Sequence, residues 1–580
     1  MIKKIIFILY ILVLVCMAAA TIVEKSQGTD YAHAQKFEAK MHDGTNAVAD
    51  YSSKFTVIDG DDKSEGEVSM NNIYSHRSYR LYQSSYDEDG KGSVLAINAD
   101  PYGIPVTYTG YALLFISLVW MLFDPKGGYR KLLKSPLLKK GALMTALILS
   151  MGNIQTLHAE SATGNLQNAV LPKETAEKFG ELHILYNDRI CPVQTFALDF
   201  CKKIYGARSY QGLTAEQVLS GWVFYGNTWA NEPFIKIKSG EMKSAMNLPD
   251  YASLNTFFNR EMGGYTIGQY VQEYYNGQQD KFHQQADIDG KIQIIMELRE
   301  GISLKVLPYT FTKNVKATKD HPSIKAGTTT WFSPVDKLPQ AVEQQHALYI
   351  RNVFSLLNGD VKAGNISRVN EFFVKMKKYQ EVSSGNSLPT ATQYKAERIN
   401  NAFPFATILF MANLTLGFIA LFYTIYRMTK KKEIKVLNIA LPILLGVSFL
   451  ALTFELALRW IISGNIPMSN GYESMLTVAW FVMLISILMQ LRIRIVMVFG
   501  FLISGFFLLV SHINQMDPAI GQMMPVLNSP LLSIHVCIIM MSYALLSLTF
   551  ICGIMGICMR SHGDELRDLT HIAVTRHVTP

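Results

Sequence analysis

Charge is scarce in this sequence. Only 17% of its 580 residues are Asp, Glu, Lys or Arg, whereas 49% are hydrophobic. This balance is too apolar for an ordinary soluble protein and indicates several membrane spans. No basic tract is interleaved with aromatic residues, which argues against a nucleic-acid-binding protein.

Cysteine is scarce too, and the six present do not form a disulfide framework. On one continuous helix Cys191 and Cys201 would be about 15 Å apart, too far for a disulfide. We interpret them as unpaired thiols, with a redox role towards substrate thiols as the alternative. The other four lie in or beside apolar runs, where cysteine acts as a small hydrophobic residue: Cys16, Cys537, Cys552 and Cys558.

Familiar catalytic motifs are also missing. The chain has no phosphate loop, no G-x-G-x-x-G, no H-E-x-x-H and no G-x-S-x-G. Their absence argues against an ATP-driven transporter, a dehydrogenase and a hydrolase. There is no C-x-x-C-H either, so we expect no covalently attached c-type haem.

Hydrophobic runs predict eight membrane spans, each near the ~20 residues that cross the hydrocarbon layer. The first follows the basic start MIKK and ends in MAAA, so a cleaved signal peptide is the alternative for it. The predicted spans lie at about 5–23, 106–123, 141–157, 403–426, 437–460, 473–490, 495–511 and 531–557.

Basic loops set the predicted orientation, because short cytoplasmic loops are rich in Lys and Arg. The loops DPKGGYRKLLKSPLLKK, RMTKKKEIK and LRIRI are then inside, together with MIKK. Regions 24–105 and 158–402 lie outside, as do the short loops 461–472 and 512–530. The tail 559–580 lies inside.

The two outer regions differ in composition. Residues 24–105 are rich in β formers, with DGD and DEDGKG as turn signals, and predict a β-rich domain. The acidic turn at Asp87 does not match a calcium-binding loop, because the twelfth position is Asn98 instead of Glu. Residues 158–402 predict a larger, mainly helical α+β domain, with a capped helix beginning at Thr214 and strands in KIQIIMEL and GISLKVLPYTF.

The predicted fold class is therefore an α-helical polytopic membrane protein of about eight spans with two outer domains. A first span (1–23) precedes the β-rich domain, and two spans (106–157) separate it from the large outer domain. A membrane domain of five spans (403–558) and a cytoplasmic tail follow.

Two histidines lie at the outer rim of the predicted membrane domain. His512 closes the seventh span, and His535 opens the eighth in NSPLLSIHVCIIMMSYALL. Two imidazoles on opposite sides of a flat ring can fill both axial positions of a haem iron. The alternative is that each histidine caps a helix end or anchors it at the interface.

Other polar residues lie at the same face. In SGNIPMSNGYESMLTVAW, Tyr472 has the interfacial depth of an aromatic anchor, and Glu473 is a carboxylate at the membrane entrance. Glu455 and Arg459 are i and i+4 in the fifth span, so they can pair on one helix face. Ionisable residues near a membrane boundary indicate function, and structural pairing is the alternative.

These stretches resemble a known family. PMSNGYESM, LNSPLLSIHV and MMSYALL are similar to the CcsA-like membrane proteins of cytochrome c maturation. ATIVEKSQGTDYA, YRLYQSSYDEDGKGS, DPYGIPVTYTGY and residues Phe123 to Arg130 are similar to their ResB-like partners. LYNDRICPVQTFALDF resembles the version in which both parts are fused in one chain.

The resemblance implies a protein of the bacterial inner membrane that carries haem b across it and presents the haem on the periplasmic side. There the haem would be joined to the C-x-x-C-H thiols of apocytochrome c, so a component of a holocytochrome c synthase is implied. His535 matches the family's outer histidine and is the implied iron ligand. His512 matches no family ligand.

The sequence departs from the family pattern in two places. Trp480 is its last Trp, so the Trp-rich haem-presenting segment and the two histidines after it are missing from these 580 residues. YAHAQKFEAKMHDG runs straight from the first span to the β domain, where the ResB-like half has further spans. A second maturation subunit could supply the missing part.

Two other functions remain open at the level of sequence. A transporter or channel would show ionisable residues along its spans or an internal repeat, and we see no repeat. A membrane-anchored scaffold would bind a partner through its outer domains without haem chemistry.

Overall fold

The computed structural model describes residues 32–123 and 166–561. Short gaps within these ranges fall at 46–47, 60–61, 77–78, 87–92, 100–102, 239, 241–242, 245, 260–263, 278, 317–323, 431, 491–494, 514–515 and 523–528. The predicted spans at 5–23 and 141–157 lie outside the described residues. So do the basic loop that precedes the second of these spans and most of the tail 559–580.

Antiparallel sheets form the amino-terminal domain, which confirms the prediction of β structure there. Strands β1 (Ala32–Met41), β2 (Val48–Asp59) and β3 (Asp62–Ser69) form one three-stranded sheet. Strands β4 (Tyr74–His76), β5 (Tyr79–Tyr86) and β6 (Ser93–Ala99) form another. Alternate residues of β2 face a small shared core, because side chains on a strand point to opposite faces in turn: Phe55 and Val57, packed with Val68 and Leu81. Helix α1 (Gly103–Phe123) follows and covers the predicted second span.

The region 166–402, which we call the outer domain after its predicted location, is mainly helical, as predicted. Its short strands pair as antiparallel ladders: β7 (His183–Tyr186) with β8 (Arg189–Pro192), β9 (Ile235–Lys236) with β10 (Tyr251–Ala252), β11 (Phe258–Asn259) with β12 (Gly264–Tyr265), and β13 (Leu307–Thr310) with β14 (Thr329–Phe332). Its helices are α2 (Lys173–Gly180), α3 (Val193–Ile204), α4 (Ala215–Phe224), α5 (Gly226–Trp229), α6 (Gly268–Tyr275), α7 (Gln279–Glu300), α8 (Gln344–Lys362), α9 (Ile366–Ser383) and α10 (Ala391–Ala402).

Helix α4 begins at the capping box that the sequence predicts. The backbone N–H of Gln217 donates to the Thr214 hydroxyl at 3.4 Å, and the Thr214 N–H donates to the Gln217 side chain at 3.2 Å. These bonds satisfy two backbone donors that a helix start would otherwise leave unpaired. The strand predicted in GISLKVLPYTF is also confirmed, as β13.

The strand predicted in KIQIIMEL is wrong, because this stretch lies inside helix α7. Ile292, Ile295 and Leu298 of this stretch are buried, and so is Ile288 in the turn before it. They recur every three or four positions, which is the spacing of one helix face, so a helix buries all four against the domain core. A strand would bury only alternate residues.

Five helices follow in the membrane domain: α11 (Phe405–Lys430), α12 (Lys435–Ser463), α13 (Gly471–Gln490), α14 (Val496–His512) and α15 (Pro530–Ser561). In the described part of the chain, four of them are long and apolar enough to cross a membrane, namely α11, α12, α13 and α15. Helix α14 is apolar but has only 17 residues. All five closely match spans predicted from the sequence.

A polar network joins three of these helices in their interior. Asn413 on α11 donates to the Ser504 hydroxyl on α14 at 3.0 Å and accepts from the Ser448 hydroxyl on α12 at 2.6 Å. All three side chains are buried. Such bonds hold helices together where apolar surface alone gives no preference between protein and lipid.

Candidate functional site

Two buried arginine–glutamate pairs meet where the outer domain touches the membrane helices. Both arginines also donate to carbonyl oxygens of the segment 516–522, which we call the rim loop. The rim loop lies between α14 and α15, and α15 carries His535. The site is therefore built from three parts of the chain that are distant in sequence.

The first pair joins β8 to α10 in the outer domain. The Arg189 guanidinium donates to both Glu397 oxygens, at 2.9 and 2.7 Å, and its Nε donates to the Ile520 carbonyl at 2.6 Å. The Thr195 hydroxyl also donates to Glu397, at 2.7 Å. Burial opposes the charge of Arg189, but the attraction of Glu397 outweighs it and raises the pKa of Arg189.

The second pair joins α12 to the start of α13. Arg459 donates to Glu473 Oε1 through Nε at 3.0 Å and through Nη2 at 2.8 Å, and both side chains are buried. Its Nη1 donates to the Pro518 carbonyl at 3.1 Å. Glu473 Oε2 accepts from the Ser469 N–H at 2.9 Å and from the Ser469 hydroxyl at 2.6 Å.

The pairing of Arg459 corrects a prediction, because the sequence suggested Glu455 as its partner. Glu473 lies in the first turn of α13, where the positive end of the helix dipole favours a carboxylate. The guanidinium therefore reaches across to a neighbouring helix instead of along its own. A pattern of i and i+4 shows only which residues share a face, so it could not reveal this competitor.

Glu455 is left in an unusual position. Its Oε1 accepts from the Tyr472 hydroxyl at 3.3 Å, while its Oε2 is buried without a partner among the described residues. Only 3% of Glu455 is exposed. The Arg459 guanidinium lies over the Tyr472 ring, 4.9 Å from its centroid, in a cation–π arrangement.

The rim loop is held by a different element at each of three successive carbonyls. Pro518 is bound by Arg459 of α12, and Ile520 by Arg189 of β8. Between them, the Ala519 carbonyl accepts from the Asn470 side chain at 3.2 Å. The outer domain, the membrane helices and the approach to α15 are thus fastened at one place.

His535 lies near the start of α15 and is exposed. Its apolar neighbours Ile534 and Ile538 are 57% and 53% exposed, so the imidazole lies beside open apolar surface. The Cys537 thiol lies 3.7 Å from the Met468 sulfur, in the turn before α13. Within the described residues the His535 imidazole makes no hydrogen bond.

His512 has a different environment, at the end of α14. Its Nδ1 lies 3.2 Å from the Thr407 hydroxyl, and its ring lies 5.0 Å from the Phe410 ring, both on α11. In the described part of the chain the structure shows no contact between His512 and His535. It shows no group of three His, Cys, Asp or Glu side chains suited to a metal ion there either.

Cys191 and Cys201 are both free and buried in the outer domain. Cys191 lies on β8 and Cys201 on α3, so the single helix assumed from the sequence is interrupted between them. Burial raises the pKa of Cys191 to about 12 and also raises the pKa of Cys201. Both thiols are therefore protonated at neutral pH, as is typical of structural cysteines.

Residues 468–574 match the sequence profile of the Cytochrome C assembly protein family. We call this stretch the assembly domain after the family that it resembles. The domain contains Tyr472, Glu473, the rim loop, His512 and His535, whereas Glu455 and Arg459 precede it. The resemblance drawn from the sequence motifs is thus confirmed, and the apolar helices agree with a membrane location.

Curated relatives extend the similarity beyond the assembly domain. Protein NrfI of Wolinella succinogenes is 27% identical over 547 residues, which cover 92% of this chain and 58% of the relative. Cytochrome c biogenesis protein CcsA of Synechococcus sp. WH7803 is 34% identical over 131 residues, 21% of this chain and 39% of the relative. The CcsA of Trachelium caeruleum is 37% identical over 116 residues, 18% of this chain and 33% of the relative. The chain therefore spans less than two thirds of the length of the relatives it matches.

Proposed function

We propose that this protein is a cytochrome c maturation factor that binds haem at the outer rim of the membrane. It presents the haem there for covalent attachment to the C-x-x-C-H thiols of apocytochrome c. The exposed His535 imidazole in the assembly domain carries the proposal. Similarity to proteins named for cytochrome c biogenesis supports the biological role.

His535 is the proposed axial ligand of the iron, because an imidazole without a competing hydrogen bond is free to coordinate a metal. Ile534 and Ile538 offer apolar surface beside it, which suits the face of a porphyrin. The substrate is haem b, whose vinyl groups react with the apocytochrome thiols. This chain's part is to hold and orient the haem, as one component of a holocytochrome c synthase.

The second axial ligand is proposed to come from elsewhere, because His512 packs against Thr407 and Phe410 of α11. Its surroundings favour the role of anchoring the end of α14. A second maturation subunit is the proposed source of that ligand. The proposed location is a bacterial inner membrane, with residues 24–105 and 158–402 in the periplasm.

A haem-free scaffold is the competing function. The hydrogen bond from Arg189 to the Ile520 carbonyl joins the outer domain to the rim loop, and a scaffold would also require such a connection. If the protein is a scaffold, the purified wild type should contain no haem, even after expression with ample haem.

A reduced-minus-oxidised absorption spectrum of the detergent-purified protein tests the proposal. We expect a b-type haem signal in the wild type that His535→Ala abolishes and His512→Ala preserves. His283→Ala, at an exposed histidine of the outer domain, is the matched control. A haem-free wild type would support the scaffold, and a signal that survives His535→Ala would remove His535 from the iron.

A further inference from the structure

A cleft of about 140 Å³ opens beside the rim loop, between the outer domain and the membrane helices. Its walls come from α3 and the end of α10 on one side. The start of α11, the last turns of α12 and the start of α13 form the other. Because three membrane helices begin or end here, the cleft lies at the level of lipid headgroups.

Some of the charged side chains that line this cleft have ion-pair partners and others do not. Glu397 is paired with Arg189, and the Asp199 carboxylate lies 2.9 Å from Lys203 and accepts from the Tyr186 hydroxyl. These carboxylates are therefore already occupied. The positive groups at the mouth are not balanced in the same way.

Lys202 and Arg208 form no ion pair among the described residues, although Asp199 and Asp517 attract Lys202 from a distance and Glu216 attracts Arg208. Arg208 donates to the Asn401 carbonyl, and both side chains line the cleft. Partial burial and then the neighbouring Arg208 guanidinium lower the pKa of Lys202. Two cations that repel each other across one opening are suited to a shared anion, such as a phosphate.

The inner end of the cleft carries Glu455 beside Arg459, whose guanidinium is already paired with Glu473. The unpartnered Oε2 of Glu455 belongs to a lining residue that is 3% exposed. A buried acceptor without a hydrogen bond lowers the stability of the protein, so a ligand that donates a hydrogen bond at this end would be favoured. A primary ammonium donates one that is charge-assisted.

The mouth of the cleft also carries apolar surface. Phe403, a lining residue just before α11, is 53% exposed. Exposed aromatic residues at this depth are typical of contact with lipid. A ligand with a zwitterionic head and an apolar tail fits all three regions.

We propose that the cleft binds the headgroup of a phosphatidylethanolamine-type lipid. The ammonium donates to Glu455 Oε2, the phosphate lies between Lys202 and Arg208, and the glycerol and acyl chains pass Phe403 into the bilayer. A lipid headgroup and free phosphoethanolamine have the same chemistry, and we propose that the ligand is the lipid. The bound lipid would fill the joint between the outer domain and α12.

The test uses the full chain in nanodiscs of equimolar phosphatidylethanolamine, phosphatidylglycerol and phosphatidylcholine. After extraction in mild detergent, lipids retained by the protein are counted by native mass spectrometry. We expect wild-type protein to retain phosphatidylethanolamine about tenfold over phosphatidylcholine, whose quaternary ammonium cannot donate to Glu455. Equal retention of the three lipids would overturn the proposal.

Two variants separate the ends of the headgroup. Lys202→Ala/Arg208→Ala should lower phosphatidylethanolamine retention about tenfold. Glu455→Gln keeps the side-chain shape and should bring the ratio of phosphatidylethanolamine to phosphatidylcholine close to one. Arg351→Ala/Lys362→Ala removes two exposed cations of α8 and should leave retention unchanged. Retention unchanged in both cleft variants would contradict the assignment.

Soluble competitors distinguish the other occupants. O-phosphoethanolamine should not displace the lipid at micromolar concentration, because it lacks the apolar tail. Displacement there would make the free zwitterion the ligand and overturn the lipid proposal. Displacement by a lysine-containing C-x-x-C-H peptide would assign the cleft to a protein partner. If the wild-type protein retains no lipid, the cleft holds only water and the lipid proposal is wrong.

Discussion

Arg459 shows how much one side chain holds together at the membrane rim. It donates to the Glu473 carboxylate and to the Pro518 carbonyl, and its guanidinium lies over the Tyr472 ring. The exposed fractions of its side chain and of that of Glu473 are 3% and 1%. In such a place an unpaired charge costs more than the pair itself contributes to stability.

Arg459→Met should therefore lower the free energy of unfolding by about 3–5 kcal/mol, because it leaves the Glu473 charge buried and alone. The double variant Arg459→Met/Glu473→Gln removes that charge and should recover a large part of the loss. Chemical unfolding in detergent, followed by tryptophan fluorescence, measures both. A double variant no more stable than the single one would show that the carboxylate is not the cause.

His183 in the outer domain predicts a pH dependence of stability. Burial lowers its pKa from 6.5 to about 4. Between these values the unfolded chain binds a proton that the folded chain does not, so stability falls as the pH drops through this window, by up to about 3 kcal/mol. His183→Gln should make unfolding less sensitive to pH between 6.5 and 4, and an unchanged pH profile would refute the assignment.

The rim loop is the element that connects the outer domain to α15. Arg189 anchors it at Ile520 through Nε and at the same time grips Glu397 with both terminal nitrogens. A lysine has one ammonium and cannot replace this planar fork. Only an arginine can therefore donate to the Ile520 carbonyl and keep the ion pair with Glu397 at the same time.

Arg189→Lys should keep the attraction to Glu397 but release the Ile520 carbonyl. We expect faster deuterium uptake in the rim loop and little change in α12, measured by hydrogen exchange with mass spectrometry. Arg351→Lys, at an exposed position of α8, is the control. Uptake in the rim loop equal to that of the wild type would mean that the other two anchors suffice.

At the scale of the whole molecule, the positions of basic loops predict which parts face which side. The outer domain and the loop between α11 and α12 should lie on opposite sides of the membrane. Lys362 on α8 and Lys432 in that loop are both exposed, so cysteines placed there are accessible to reagents.

Labelling of intact cells with a membrane-impermeant maleimide checks this topology. Lys362→Cys should react in intact cells, whereas Lys432→Cys should react only after the cells are permeabilised. The native Cys191 and Cys201 are buried, whereas Cys537 is partly exposed, so both variants also carry Cys537→Ser. Labelling of both introduced cysteines before permeabilisation would contradict the predicted orientation.

The sequence predicted the membrane helices well, because an apolar run of about 20 residues has few alternatives to a span. It misplaced KIQIIMEL, since a short apolar run is compatible with both strand and helix until its buried face is known. The capping box at Thr214 was found because its two partners lie three residues apart.

The site was harder to predict, because its contacts are distant in sequence. Arg189 and Glu397 are separated by 208 positions, and no local sequence pattern around either residue indicates its partner. Glu473 was singled out, but the partner of Arg459 was sought on its own helix instead of on the next one. Local spacing reveals helix faces, whereas the packing of whole elements decides which faces meet.

Chemical rescue of His535→Gly tests whether the His535 imidazole binds haem iron. We predict that the variant purified without imidazole lacks the b-type signal in the reduced-minus-oxidised spectrum. Added imidazole should restore that signal in His535→Gly and leave the spectrum of His512→Gly unchanged. A full signal in His535→Gly without imidazole would contradict the account, because the iron would then be held by other groups.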